Sequence, residues 1–386
     1  MDNTTNKNFY QNNKYFGDSI NKYFETTKWN KSSFESKVDF YDVDYFQPLC
    51  RDCRVVSQLE NINCLGNKRL QYLSMKSHFK NNIPEYVPFT LAFNASDVNT
   101  IKYLFDLPKT YILKPENSLS RRGVGIVSTF KDAVEWIQTN TKYEIWIIQE
   151  FITNTLLYDN KKFHLRIYAI YLMDEQVIKT YVYNNGFIYQ AKDEYDVLNI
   201  TNDRIGLSGE NSQEQVKLFP SDFVDSFGIT KYNYIIPQIN TIIKDTITSC
   251  SSVLTCPNEQ VKNYKCFKLF GYDLLVDDNY KVWLLEINAR FISFKYPPPD
   301  YLNNMYFDIL NLVFKDSYAN FRTVLDVPRN KKQQNNIMST KTIEGFSINY
   351  LPNNNITLII LIILFIITLI ILILFRKKYY KNTYTF

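Results

Sequence analysis

The sequence predicts an α/β (α+β) protein of two or three packed lobes followed by a single apolar helix near the C-terminus. Three observations carry this expectation. Between residues 36 and 326, short apolar runs bounded by Asn, Asp, Gly and Pro interleave with segments of helical spacing. Two of those runs, Phe270–Asp277 and Val282–Asn288, flank Asp278-Asn279 and read as a hairpin that carries polar residues among apolar ones. Residues Ile356–Phe375 form a 20-residue run broken only by Thr357 and Thr368, with Arg376-Lys377-Lys378 directly after it. At 386 residues the chain exceeds one ordinary domain, so a sizeable core is expected.

In chain order, residues 1–35 are a low-complexity Asn/Lys/Tyr segment, expected to be partly disordered. Residues 36–110 read as an N-terminal lobe: Leu65–Lys80 has helical spacing, and Pro84 and Pro88 lead into Phe89-Thr90-Leu91. Residues 111–326 read as the central and C-terminal lobes. Tyr111–Lys114 and Gly125–Phe130 are strands around a polar loop, and Thr129 with Asp132 resembles a capping pair before a helix over Ala133–Thr139. Glu144–Ile152 is a buried strand. Lys162–Met173 and Lys179–Tyr183 are further strands, the second turning at Asn184-Asn185-Gly186. Tyr232–Leu254 looks helical despite Pro237. Residues 327–355 read as a flexible linker, 356–375 as a transmembrane helix and 376–386 as a basic tail.

Apolar residues make up 45% of the chain, ordinary for a globular protein, while the aromatic share of 16% is high, with 30 Tyr and 28 Phe. The net charge is +5, but its location matters more than its size. Residues 327–386 hold eight Lys/Arg against Glu344 alone, or +7, which leaves −2 for residues 1–326. A near-neutral body has no broad nucleic-acid footprint, so no nucleic-acid partner is expected. The first thirty residues are never apolar enough to be a secretory signal. Cys50-x-x-Cys53 with Cys64 and His78 offers a Cys₃His zinc set, but its spacing fits no common pattern, so reduced cytosolic thiols are expected instead.

The hairpin carries the most informative chemistry. Asp273, Glu286 and Asn288 sit within apolar runs, where an unpaired carboxylate would be costly. Glu286 and Asn288 leave the same strand face, and the turn places Asp273 opposite Leu284–Glu286. Three hard oxygen donors on one patch suit Mg²⁺; polar residues of a half-solvated hairpin are the plainer account of the hairpin taken alone. Three other pieces accompany it. The loop Lys114–Ile126 combines Gly123 and Gly125 with Lys114, Arg121 and Arg122, as a phosphate-covering flap would, although a mobile surface hairpin explains it equally. Trp146–Ile152 is an apolar strand that can offer Gln149 and backbone groups to a purine edge, or be a simple core strand. In Lys161–Arg166, alternation turns Phe163, Leu165 and Ile167 inward and aligns Lys162, His164 and Arg166 on the other face, either for anion recognition or towards solvent.

The order cationic flap, purine strand, basic strand, carboxylate hairpin resembles that of ATP-grasp ligases. More closely, residues 62–320 resemble the tubulin–tyrosine ligase-like family of ATP-grasp amino-acid ligases. Gln149–Arg166, Asn199-Ile-Thr-Asn202 and Phe267–Asn288 are the most specific stretches, and Asn67–Leu70 through Pro88–Leu91 also fits. The resemblance implies an ATP-grasp fold with ATP and Mg²⁺ as cofactors. Lys114 and Arg122 would hold phosphates, with Gly123 and Gly125 in the flap above them. Gln149, Phe151 and Ile152 would border the adenine, and Thr201 and Asn202 would line the same cleft. Lys162 and Arg166 would reach nucleotide or substrate anions as the catalytic pair, and Asp273, Glu286 and Asn288 would hold Mg²⁺. Two departures stand out. The family usually has an acidic residue where His164 stands, and it tends to place an Arg near Tyr189, whereas no Arg lies between Arg166 and Arg204.

The expected function is therefore an ATP-dependent carboxylate–amine ligase. It would add a free amino acid, glutamate or tyrosine, to the acidic tail of tubulin or another protein through an acyl phosphate. The alternative is a catalytically impaired ATP-grasp scaffold or binding module at a membrane. Ile356–Phe375 is expected to be a C-terminal tail anchor of a single-pass protein with its catalytic body in the cytosol. Basic residues after the span oppose this orientation; the lack of an N-terminal signal and the short tail favour it.

Overall fold

Strand alternation organises the chain around two sheets. The computed structural model describes residues 7–13, 16–32, 38–43, 49–118, 121–175, 177–208, 217–290, 292, 294, 297–298 and 300–328. All lie in Met1–Asn330, one compact unit by itself. No helix among them is long and apolar enough to cross a membrane. The run Ile356–Phe375, the linker 327–355 (beyond Pro328) and the tail 376–386 fall outside the described residues.

The larger sheet is built on Lys161–Asp174. One edge of this strand pairs antiparallel with Gly186–Gln190 over Phe163–Arg166 and with Val177–Tyr183 over Ala169–Met173. The other edge pairs along Leu165–Asp174 with Lys265–Val276, which in turn carries Val282–Asn288. Both central strands are apolar on both faces because helices cover both. Ile229–Cys250, with Pro237 inside it, lies over one face with Leu65 and Met75. On the other face, Tyr301–Lys315 and Gly17–Thr26 pack around Tyr168, Ile170 and Leu172.

The described residues of the N-terminal segment, 7–13 and 16–32, form regular elements. Asn8–Asn12 is a strand pairing with Phe40–Val43, and Phe9, Phe16, Ile20, Tyr23 and Phe24 are buried beside Met305 and Tyr306. Aromatic side chains set among Asn and Lys supply the apolar face that composition alone conceals.

The smaller sheet has the order Thr90–Asn94, Ile145–Glu150, Tyr111–Pro115, Gly125–Val127. Helix Phe130–Thr139 packs on it through Ala133 and Ile137. The side chain of Thr129 accepts the Asp132 N–H, so the expected cap is present while the helix begins three residues earlier. The expected helix over Leu65–Lys80 is divided into Asn63–Gly66 and Lys68–His78. Asn67 breaks it by adopting an extended backbone and capping the Leu70 N–H. A Cβ on Gly66 would stand 2.7 Å from that of Ala289, which fixes this corner against the end of the carboxylate strand.

The cysteines form pairs rather than a zinc site or a set of reduced thiols. Cys50 bonds to Cys53 and Cys256 to Cys266, while Cys64 and Cys250 are free and buried. Among the described residues no cluster of three or more His, Cys, Asp or Glu is arranged for a metal ion.

Candidate active site between the two sheets

The carboxylate hairpin forms as its spacing predicts. Asp273 lies directly opposite Glu286, and Gly271 opposite Asn288. A register shift after Asp273 adds one residue to the partner strand, so Leu274 faces Leu284. The turn is broader than a two-residue one. Asp277, only 3% exposed, accepts the N–H groups of Asn279 and Lys281 on Oδ1 and the Trp283 indole N–H on Oδ2.

Arg166 is in register with Asp273 on the adjacent strand. Its Nε donates to Asp273 Oδ1 at 2.5 Å and its Nη2 to Oδ2 at 3.1 Å. Asn288 Nδ2 donates to Asp273 Oδ2 at 3.1 Å, and His164 Nε2 stands 3.6 Å from Oδ1. Burial opposes ionisation of Asp273, but the charge of Arg166 outweighs it, with help from His164 and Asn288, and the carboxyl titrates below its ordinary range. Burial likewise works against the Arg166 cation, and the pairing with Asp273 prevails, leaving it more basic than usual.

Two buried amines, Lys114 and Lys162, stand in the same region, and Lys114 lies under the charges of Glu286 and Asp273. Lys114, on the smaller sheet, donates to Gln149 Oε1 at 2.8 Å, and Gln149 Nε2 donates to Thr90 Oγ1 at 3.0 Å. Burial lowers Lys114 to about 8; Glu286 and Asp273 pull it up, and Lys68 pushes it down. Lys162, on the larger sheet, places Nζ 3.5 Å from the centroid of the Phe151 ring and 3.4 Å from the Ile152 carbonyl oxygen. Burial, and then the charge of Lys114, drives it well below an ordinary lysine. A solvated face for Lys162, His164 and Arg166 is therefore ruled out: they are 5%, 8% and 8% exposed.

The structure thus brings together Lys114, Gln149, Phe151, Ile152, Lys162, Arg166, Asp273, Glu286 and Asn288. Arg122, Thr201 and Asn202 stand outside this network in exposed positions. Asn202 Oδ1 caps the short helix Asp203–Gly206 by accepting the Arg204 N–H. The two flap glycines have packing reasons of their own. Gly123, at φ +74°, is crowded by Tyr143 and Pro115, and a Cβ on Gly125 would strike the Trp136 ring. Lys192 is exposed, and Arg204 is held by Asp193 through two hydrogen bonds of 2.5 and 2.8 Å. Tyr189 itself lies opposite His164, with the Arg166 guanidinium 5.4 Å from its ring centroid.

Sequence reasoning missed Lys68 and Glu116. Lys68 Nζ lies 3.7 Å from Glu286 Oε1 and 3.4 Å from the Ser118 carbonyl oxygen. Glu116, 7% exposed, accepts from Arg69 Nε at 2.5 Å. These contacts span about fifty residues and more, with no local periodicity to announce them. The stretch Asn67–Leu70 was visible only as part of the resemblance.

The donor set fits a hard divalent cation. Glu286, with a side chain 36% exposed, lies opposite Asp273, whose carboxylate is shared between Arg166 and the amide nitrogen of Asn288. Oxygen donors beside buried cations suit a metal–polyphosphate group.

The model of the tubulin-tyrosine ligase family matches residues 47–290, more than half of the chain and every residue of this cluster. The chain belongs to the tubulin-tyrosine ligase family. Tubulin glycylase 3D of Tetrahymena thermophila is 30% identical over 201 residues, 46% of this chain and 18% of that protein. The probable tubulin polyglutamylase TTLL2 of Mus musculus is 26% identical over 277 residues, 67% of this chain and 49% of that protein. Tubulin polyglutamylase TTLL6 of Mus musculus is 30% identical over 203 residues, 47% and 24%. This member of the tubulin-tyrosine ligase family therefore spans half or less of the length of these curated relatives. Its mixed α/β architecture with two sheets fits the ATP-grasp expectation.

Proposed function

We propose that this protein is an ATP-dependent ligase that joins an amino acid to a carboxylate on an acidic protein tail, with tubulin as the acceptor. The observation that carries the reading is buried Lys114 of the smaller sheet held under the charges of Glu286 and Asp273 on the larger one, with Lys162 buried against Phe151 and the Ile152 carbonyl and feeling the charge of Lys114. Glu286 and Asn288, with Asp273, would hold Mg²⁺, and Lys114 and Lys162 would hold phosphate oxygens. Gln149, Phe151 and Ile152 would border the base, with Arg122, Gly123, Gly125, Thr201 and Asn202 around the mouth. When bound, Mg-ATP would supply the phosphoryl group that activates a carboxylate for attack by an amine, releasing ADP and phosphate.

The protein's own contribution is electrostatic and positional. Lys114 and Lys162 are low in water and fixed by Gln149, Phe151 and the Ile152 carbonyl, so their charge meets a transferring group without reorganisation. Arg166 keeps Asp273 ionised and in place. Lys68, with Nζ 3.7 Å from Glu286 Oε1, would steady that carboxylate.

The relatives' names favour glutamate, with glycine next, as the added amino acid; tyrosine stands behind both. We place the body, residues 1–326, in the cytosol, tethered by Ile356–Phe375 as a tail anchor. The impaired-scaffold reading draws support from Tyr189, which stands where the resemblance expects an Arg and lies against Arg166. Mass spectrometry of tubulin incubated with the full-length protein, ATP and labelled amino acids separates the two readings. Added residues on the tails support ligation; ATP binding without transfer to tubulin or any cell-extract protein supports the scaffold.

A further inference from the structure

His164 sits near the start of the central strand Lys161–Asp174, opposite Tyr189 and two residues before Arg166. Its Nδ1 lies 2.7 Å from Ser208 Oγ. The carbonyl of the same serine accepts a hydrogen bond from Arg121 Nη2, on the turn that opens the flap strand Gly125–Val127. Arg121 has φ +61° and Gly123 φ +74°, so the turn is committed to one shape, and Gly123 gives its carbonyl to the Trp136 indole N–H at 3.0 Å. A second contact runs parallel to this one. Ile126, Phe151 and Ile200 form an apolar cluster with Leu207, and a Cβ on Gly206 would stand 2.5 Å from Ile126 Cδ1. Segment 200–208 therefore lies between the flap on the smaller sheet and the rigid strand of the larger one. It is held to the flap by apolar packing and Arg121, and to the strand by His164.

We propose that His164 is a positioning residue whose bond to Ser208 fastens the flap over the candidate nucleotide site. The deeper role rests on the proposed function; the fastening itself does not. A side chain at this place must reach Ser208 while its other edge faces Asp273, 3.6 Å away. Imidazole has a polar atom on each edge, and an acidic residue here would set a second negative charge beside Asp273. Asn presents its polar atoms near the Nδ1 position and Gln nearer Nε2, so the two substitutions separate the edges.

The test is hydrogen–deuterium exchange of residues 121–127 in the full-length protein without nucleotide. His164→Gln and Ser208→Ala are expected to raise exchange about tenfold, the loss of one interior hydrogen bond. His164→Asn should keep the wild-type protection, and the His164→Gln/Ser208→Ala double variant should be no faster than either single one. Unchanged exchange in Ser208→Ala, or equal acceleration in His164→Asn and His164→Gln, would overturn the proposal. A parallel titration with a non-hydrolysable ATP analogue should show weaker binding in the variants with faster exchange. An analogue that fails to bind even the wild-type protein would remove the proposed function, with the fastening judged by exchange alone.

Discussion

Arg166 and Asp273 face each other across adjacent antiparallel strands, and the guanidinium bonds both carboxylate oxygens, at 2.5 and 3.1 Å. The pair joins the central strand to the hairpin that carries Glu286 and Asn288, so it links the core of the fold to the candidate site.

Removing one partner should be costly. Asp273→Ala leaves a buried guanidinium without its counter-charge, and chemical denaturation should show a loss of about 3–5 kcal/mol. The pH dependence follows from the lowered pKa of Asp273. The folded carboxyl holds its proton less tightly than the unfolded one, so its contribution is complete above the ordinary value of about 3.9. It is lost as pH falls through the lower folded value. Wild-type stability should therefore fall more steeply in that acid window than that of Asp273→Ala.

Lys114 is also shifted down, but there the shift disfavours the charged form. Burial depresses it to about 8, below the ordinary lysine value of about 10.4. The unfolded chain binds more protons between these values, so this group's contribution to stability rises with pH across the window. Anion binding should do the opposite, because the charge is lost. Affinity for a non-hydrolysable ATP analogue, measured by calorimetry from pH 7 to 9.5, should weaken above about pH 8. Lys114→Arg should flatten that profile.

Gly125→Ala tests the flap. The added methyl would meet the Trp136 ring, and such overpacking costs about 1–3 kcal/mol. Thermal unfolding should register the loss without nucleotide. A variant that keeps full stability and loses only nucleotide affinity would return Gly125 to a phosphate-approach role.

The Cys256–Cys266 bridge closes a short loop whose Asn258, fully buried, donates to the carbonyls of Cys53, Arg54 and Lys265. Peptide mapping without reductant should recover this bridge and Cys50–Cys53 intact. Reduction should cost about 2–3 kcal/mol for Cys256–Cys266. Free thiols at all six cysteines would contradict the pairing.

Much of the site was legible because it is local. Period-two alternation and a turn near Asp278 brought Asp273 opposite Leu284–Glu286, and the extra residue after Asp273 selects Glu286; alternation alone aligned Lys162, His164 and Arg166. Three strands of the smaller sheet, all but Thr90–Asn94, and the Thr129 cap followed from apolar runs and capping chemistry. What failed was long-range or compositional. Lys68 meets Glu286 across more than two hundred residues, and the cysteines pair by proximity that spacing does not encode. Phe16, Tyr23 and Phe24 are core residues hidden in an Asn/Lys-rich stretch. The two departures at His164 and Tyr189 looked separate in the sequence, and only the register shows them as cross-strand neighbours.

The most direct test of the central claim is ATP-dependent incorporation of labelled glutamate or glycine into tubulin by the full-length protein and its Glu286→Gln variant. That substitution keeps the side chain's size and removes one charge from the proposed Mg²⁺ position. The wild-type protein should label the tubulin tails, and the variant, folded as judged by circular dichroism, should lose the activity by at least about a hundredfold. Undiminished labelling by a folded Glu286→Gln protein would contradict the assignment of the active site.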